Sequence, residues 1–398
     1  MKLYSTETEV AELCEKLKSE PCIGVDTEFI RETTFFPKLE LIQIGTATET
    51  FVIDFQKYGT QSTEKFCDLL KNPSVLKIFH SAQADQECFF TSLGVLASPI
   101  WDTEVAASLC GQGDSLGLVN VLRNTIGVEL KKGHTRTNWS ARPLAPYLIE
   151  YAHQDVKHLV ELYEALNAKL KELGREAWMG KLVEKWTNPE TFTSDPEEMA
   201  IRLSKSRKMD AHSFSVLMEL VKWREEKVRQ KNIPRKWLIE DSVLVDLSTV
   251  KPKDEKHLKN FRGFHKAEIR GEIDSILKLI QVASQNPIDP PEKRRKFIKL
   301  TQAETRALEL LKCYMGILAD EHQLALKHVL LSENAVELLR NQAKTVEDLK
   351  AHRFLSDDIV DLMGEKILNF LNGKSTLGIK NLEVKIYDLP QADDKSTE

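Results

Sequence analysis

The stretch Cys22-Ile23-Gly24-Val25-Asp26-Thr27-Glu28-Phe29 is an apolar run that ends in two carboxylates two residues apart. Cys22–Val25 reads as a buried β-strand delivering the chain to Asp26. Residues i and i+2 of a strand share a face, so Asp26 and Glu28 project to one side of the strand's end. Two acids so close repel each other unless a cation neutralises them. An isolated Asp-x-Glu is more often a solvated strand end, so the pair has to be weighed with the rest of the chain.

Outward from this strand, Leu39–Gly45 and Phe51–Asp54 read as two further strands, joined by a hairpin-like connection at Gly45-Thr46-Ala47-Thr48-Glu49. Thr63–Lys71 is a helix ended by Asn72-Pro73, Val75–Phe79 a short apolar strand, and Ala82–Leu93 a helix closed by Gly94. From Asp102 to Gly174 the pattern is helical. Strands first and helices after them predict an α/β domain with a mixed sheet.

Beyond about residue 185 strand signals nearly vanish. Thr187–Pro196 reads as a linker. Phe214, Leu217, Met218 and Val221 recur at i, i+3, i+4 and i+7, one face of a helix broken by Ile233-Pro234. Helices follow over roughly 240–248, 253–261 and 267–284. Asn286–Pro291 holds three prolines, marks a second linker, and is followed by the basic run Lys293-Arg294-Arg295-Lys296. Residues 301–373 are again helical, and a polar, frayed tail is expected from Asp388 onward. Two helical modules thus follow the α/β domain.

Composition is that of a soluble globular protein: 398 residues, 41% hydrophobic and 29% charged. No apolar run reaches the roughly 18 residues of a membrane helix, and no signal-peptide pattern opens the chain. The six cysteines lack zinc spacing and sit mostly in apolar surroundings, which predicts reduced thiols in a cytoplasmic protein. The net charge of −5 hides a segregation: −6 over residues 1–185, +6 over 186–300 and −5 over 301–398. A basic middle beside an acidic front suits an enzyme acting on a polyanion.

Two more acids extend the first pair. Asp85 in His80-Ser81-Ala82-Gln83-Ala84-Asp85 stands early in a helix, where an acid also serves the macrodipole. Tyr151-Ala152-His153-Gln154-Asp155 sets a phenol four residues before a carboxylate, on one helical face, with His153 roughly opposite as a packing or surface residue. Hard divalent cations prefer oxygen ligands, and two of them can clamp both oxygens of a phosphodiester displacement. Each element alone has a commonplace explanation; their joint order points to a metal-dependent nuclease.

With these motifs the chain resembles the DEDD superfamily of 3′→5′ exonucleases in its tyrosine branch, most closely the bacterial ribonuclease D family. Leu41-Ile42-Gln43-Ile44-Gly45, Trp101-Asp102-Thr103 and Asn138-Trp139-Ser140-Ala141-Arg142-Pro143-Leu144 support the likeness. The histidine branch would place His five residues before the last aspartate, where Glu150 stands. Residues 209–289, with Leu220-Val221-Lys222-Trp223-Arg224 and Ala267-Glu268-Ile269-Arg270, resemble an HRDC domain, and 301–375 a second, divergent one.

The resemblance implies a ribonuclease H-like exonuclease domain over 1–185, followed by two all-α HRDC-like domains that bind nucleic acid. The acidic balance of the second puts that role in question, and packing against the catalytic domain is the alternative. It implies a 3′→5′ exoribonuclease that releases nucleoside 5′-monophosphates with two Mg²⁺ or Mn²⁺ ions. Asp26 would bridge both, Glu28 and Asp155 would complete the first site, Asp85 would hold the second, and Tyr151 would orient the attacking water. Thr27, Phe29, Gln43 and His80 would flank the terminal nucleotides. The expected partner is RNA with an accessible 3′ end, tRNA precursors above all, and the family suggests a monomer. A DNA exonuclease of the same superfamily and a catalytically dead RNA-binding adaptor remain as alternatives; retention of all four acids and the tyrosine argues against the adaptor.

Overall fold

A computed structural model of the protein describes residues 2–59, 63–130, 137–264, 267–269, 271–290, 300–331 and 334–390. The basic run Lys293–Lys296, Arg270 and the tail from residue 391 lie outside the described residues. The chain forms two compact units: Met1–Trp101, Lys132–Val160 and Val183–Lys296 in the first, Asp102–Lys131, Glu161–Leu182 and Phe297–Glu398 in the second.

The first unit is built on a six-stranded sheet of β1 (Leu3–Tyr4), β2 (Cys22–Ile30), β3 (Lys38–Gly45), β4 (Thr50–Asp54), β5 (Leu76–Phe79) and β6 (Ile100–Asp102), in the order β1-β4-β3-β2-β5-β6. β2 and β3 are antiparallel, β3 and β4 are antiparallel, and β1 and β5 run parallel to β4 and β2. The sheet is therefore mixed, as expected. β2 is longer than its apolar run predicts: it continues through Asp26 and Glu28 to Ile30, because β3 pairs with it over that whole length. The acids thus stand inside a strand rather than at its end, with a bulge between Glu28 and Phe29.

Helices pack around the sheet. α1 (Glu7–Leu17), which the sequence reading passed over, starts with a Thr6–Glu9 capping box and buries Val10, Leu13, Cys14 and Leu17. α2 (Glu64–Lys71) packs beside it, and α3 (Gln83–Leu93) ends at Gly94 in the left-handed conformation. α4 (Pro146–Lys157) crosses β2, β3 and β4, with Pro146 in its first turn, where a missing N–H costs nothing.

Two glycines admit α4. Gly24 and Gly45 face each other across β2 and β3. A Cβ on Gly24 would lie 2.7 Å from the Leu159 Cβ, and one on Gly45 would lie 3.0 Å from the Val156 carbonyl carbon, with the oxygen nearer still. A glycine inside a strand commonly marks such a close approach.

The first unit also contains a helical module around α5 (Ala211–Lys231), joined by Pro196–Ser204, Asp241–Val250 and Ile273–Gln285. Its core holds Phe214, Leu217, Leu220, Val221, Leu244, Leu247, Phe264, Ile276 and Ile280, the predicted helical stripe among them. The helices expected over 253–261 and 267–284 are shorter: Glu255–Leu258 and Ile273–Gln285, with a 3₁₀ turn at Ala267–Ile269.

In the second unit, helices Thr103–Leu109 and Glu176–Val183 join Gln302–Glu321, Val346–His352 and Asp357–Leu371. Arg175, nearly buried, ties them: its guanidinium donates to the carbonyls of Leu109 (2.6 Å), Gln323 (2.8 Å) and His322. After the last helix the chain forms an antiparallel hairpin, β7 (Ser375–Lys380) and β8 (Glu383–Asp388), which the sequence reading did not foresee. No described helix is long and apolar enough to cross a membrane.

Candidate active site

The strand register decides which side chains of β2 meet α4. Asp26 pairs with Gln43 and Glu28 with Leu41, on the face that Gly24 and Gly45 leave open to α4. Asp155, one residue before the Val156 carbonyl that sits on Gly45, is thereby brought to the two strand acids. Carboxylate oxygens of Asp26, Glu28 and Asp155 all lie within 4.8 Å of one another. Tyr151, one helical turn earlier, shares a hydrogen bond with Asp155.

Asp85 arrives from the other side. Thr27 points away from Asp26 and Glu28, and its hydroxyl donates to Asp85 Oδ1 at 2.6 Å. Both residues are buried. Asp85 stands in the first turn of α3, reached from β5 through His80 and Ser81, the latter at φ 67. A serine in the left-handed region is locally strained, and here that conformation makes the sharp turn into α3. Asp85 is not in the group of three, yet Asp26 acts on it electrostatically.

Among the described residues the acids of the site have no compensating positive charge. Burial, reinforced by Asp26, Asp155 and Asp85, pushes Glu28 up to about 9. Burial raises Asp26 to about 7. Burial and then Asp26 raise Asp155 to about 8, against the Tyr151 hydrogen bond. Asp85 is held well above the usual carboxylate range by burial and by Asp26. The Tyr151 phenol is also raised, first by burial and then by Asp155. Among the described residues the leading charges felt by these acids are one another.

A hard divalent cation fits this donor set, since converging carboxylate oxygens, with no basic partner among the described residues, are what such an ion coordinates. Gln43 adds to the case. It stands directly opposite Asp26, is fully buried, and neither amide atom has a partner among the described residues. A buried amide left unsatisfied costs about 1–3 kcal/mol, so the site is shaped for a group that none of the described residues supplies.

Of the expected flanking residues, Phe29 and His80 are half-buried beside the bulge and at the end of β5. Thr27 holds Asp85. His153 is buried, its Nδ1 2.7 Å from Thr50 Oγ1, in agreement with a packing role.

The sequence reading missed how Tyr151 is held. Trp139 lies against it, ring centroids 6.1 Å apart, over Leu41, Val52, Leu144 and Leu148. Arg142 fastens the Trp139 segment: its guanidinium grips buried Asp54 at 2.9 and 2.7 Å and donates to the Trp139 carbonyl at 2.6 Å. Ser140 adds a 2.5 Å bond to fully buried Glu40. The motif Asn138–Leu144 was visible as a resemblance, but its physical work shows only once β3 and β4 place Glu40 and Asp54 beneath it.

Comparison with known proteins agrees with this geometry. Residues 1–171 match the 3′-5′ exonuclease family model, and residues 213–280 match the HRDC domain. Ribonuclease D of Nitrobacter hamburgensis is 32% identical over 384 residues, 96% of this chain and 97% of the relative. Ribonuclease D of Bartonella henselae is 30% identical over 98% of this chain and 94% of the relative. The fold is that of Escherichia coli RNase D (TM-score 0.77, 24% identity, 94% of this chain and 98% of that one). The catalytic core of Trypanosoma brucei RRP6 is a more distant structural match (TM-score 0.55, 19% identity, 71% of this chain and 79% of that one). A near full-length relation at this identity, joined to an exonuclease match over the acids and an HRDC match behind them, shows that the chain belongs to the ribonuclease D family of 3′-5′ exoribonucleases.

Proposed function

We propose that this exoribonuclease shortens tRNA precursors and other small structured RNAs from the 3′ end by two-metal hydrolysis, releasing nucleoside 5′-monophosphates in the cytoplasm as a monomer. The observation that carries the reading is the convergence of Asp26, Glu28 and Asp155 within 4.8 Å, beside Tyr151 and Asp85.

Asp26, Glu28 and Asp155 would hold one Mg²⁺ or Mn²⁺ ion, and Asp26 with Asp85 a second. When bound, the ions supply positive charge to the attacked phosphate and to the departing 3′-oxygen. Tyr151, fixed by Trp139 and hydrogen-bonded to Asp155, orients the attacking water. Thr27 acts through Asp85, which it anchors. Phe29 and His80 line the approach of the terminal nucleotide, and the Gln43 amide, buried opposite Asp26 and without a partner among the described residues, would bind it from the floor of the site. The exonuclease domain is assigned to residues 1–185, the HRDC domain to 209–289 and a second, divergent one to 301–375.

The test is digestion of tRNA precursors with 3′ extensions, and of matched RNA and DNA oligonucleotides, with Mg²⁺, Mn²⁺ or EDTA. Stepwise release of 5′-monophosphates from RNA, lost in EDTA and in Asp155→Asn, is the expected result. Metal-independent activity, internal cleavage or preference for DNA overturns the reading.

A further inference from the structure

The loop that leaves the catalytic strand, residues 31–37, is held by the HRDC module. α5 ends at Asn232 in the left-handed conformation (φ 47). The Asn232 side-chain carbonyl accepts hydrogen bonds from the backbone amides of both Phe35 and Phe36, at 3.1 Å each. The Phe35 ring has two guanidiniums over it, Arg229 at 5.6 Å and Arg235 at 4.8 Å, and packs against the module's apolar core.

Those arginines are themselves fixed. Arg235 grips buried Glu225 through two 2.7 Å bonds, and Arg229 donates to the hydroxyl (2.5 Å) and carbonyl (3.0 Å) of Ser194. The near end of the loop is tied as well: Arg31 forms a two-pronged pair with Glu87 on α3, 2.6 Å for each bond, two residues beyond Asp85. Glu28 lies three residues before Arg31, at the bulge where β2 loses register with β3. A bulge bends its strand and re-aims a side chain, and this one stands between Glu28 and the loop.

We propose that Asn232, Phe35, Arg229 and Arg235 are positioning residues for the reaction, with the HRDC module setting the geometry of the catalytic strand. This rests on the reading of Asp26 and Glu28 as metal ligands. Two of the module's basic side chains are thereby engaged with the catalytic domain rather than offered to RNA. A small displacement of Glu28 acts on turnover, since misplacement of a reacting group by a fraction of an ångström to an ångström costs about 10- to 100-fold in rate.

The experiment uses the full chain with Mn²⁺ and two substrates: a dinucleotide, which ends at the site, and a long single-stranded RNA. Asn232→Gly keeps the left-handed backbone and removes the acceptor; Phe35→Leu keeps apolar volume and removes the ring. Asn232→Asp and Phe35→Tyr restore acceptor and ring. For Asn232→Gly and Phe35→Leu we expect kcat on the dinucleotide to fall about tenfold with KM within about twofold of the parent, and recovery in Asn232→Asp and Phe35→Tyr. An active parent whose variants keep dinucleotide kcat, and lose only KM on long RNA, overturns the proposal alone. A parent inactive on both substrates overturns the site reading and this proposal with it. Thermal melts identify a variant that fails to fold, and the remaining variant then decides.

Discussion

Gly45→Ala should disable the protein through one methyl group. The added Cβ would stand 3.0 Å from the Val156 carbonyl carbon and closer to its oxygen, where an ordinary contact lies at 3.4–4 Å. β3 is a central strand paired on both sides, so it cannot yield, and α4 must lift by roughly 1 Å. Asp155 precedes Val156 and Tyr151 lies one turn earlier, so both move away from Asp26 and Glu28. Overpacking of this kind costs about 1–3 kcal/mol of stability, which leaves a folded protein. A displacement of roughly 1 Å at reacting groups costs about 100-fold in rate. The assay is kcat on a 3′-labelled RNA with saturating Mn²⁺, beside a thermal melt and a Mn²⁺ titration. Gly117→Ala is the control, because Gly117 sits at an ordinary φ of −65 with nothing within 4 Å of a new Cβ. If Gly45→Ala keeps activity within about twofold of the parent, the close approach of α4 is not what assembles the site.

Three further outcomes follow from the same geometry. Folded-state values raised above the ordinary carboxylate range mean that the native protein holds protons the unfolded chain releases, so metal-free stability should fall as pH rises from about 4 toward the 7–9 range of Asp26, Asp155 and Glu28. Asp26→Asn should accordingly melt higher than the parent at pH 8, by about 1–3 kcal/mol, with the difference shrinking at pH 5 and reversing when Mn²⁺ is added; equal melting at both pH values refutes it. Tyr151→Phe keeps the packing on Trp139 and should lose about 100-fold or more in kcat with an unchanged melt, as single-turnover kinetics would show. Arg142→Ala leaves Asp54 buried without its guanidinium and should cost about 3 kcal/mol in denaturant unfolding, whereas a loss under about 1 kcal/mol would make the pair dispensable.

The mixed sheet, the helical modules and the candidate site, whose Asp26, Glu28 and Asp155 the structure brings together, were legible because their signals are local. Alternation, helical spacing and a same-face pair of acids are properties of neighbouring residues, and the order of the motifs carried the family likeness. Boundaries were less legible: β2 outruns its apolar run because a partner strand stabilises the polar residues beyond it. The hairpin at 375–388 leaves much of its surface exposed, with Leu382 wholly so, and therefore lacks the alternation that marks a half-buried strand.

What the sequence by itself determined is the chemistry on offer: four carboxylates and a phenol, their order, and which pairs share a face. What only the tertiary structure decided is their convergence and support. Gly24 and Gly45 seat α4, Thr27 turns away to hold Asp85, Arg142 fixes Trp139 beneath Tyr151, and Asn232 with Phe35 joins the helical module to the catalytic strand. Apart from the short-range bond of Arg142 to the Trp139 carbonyl, these contacts join segments far apart in the chain, and no local pattern encodes them. Distance and burial, which set the repulsion that a cation relieves, exist only once the sheet has brought those segments together.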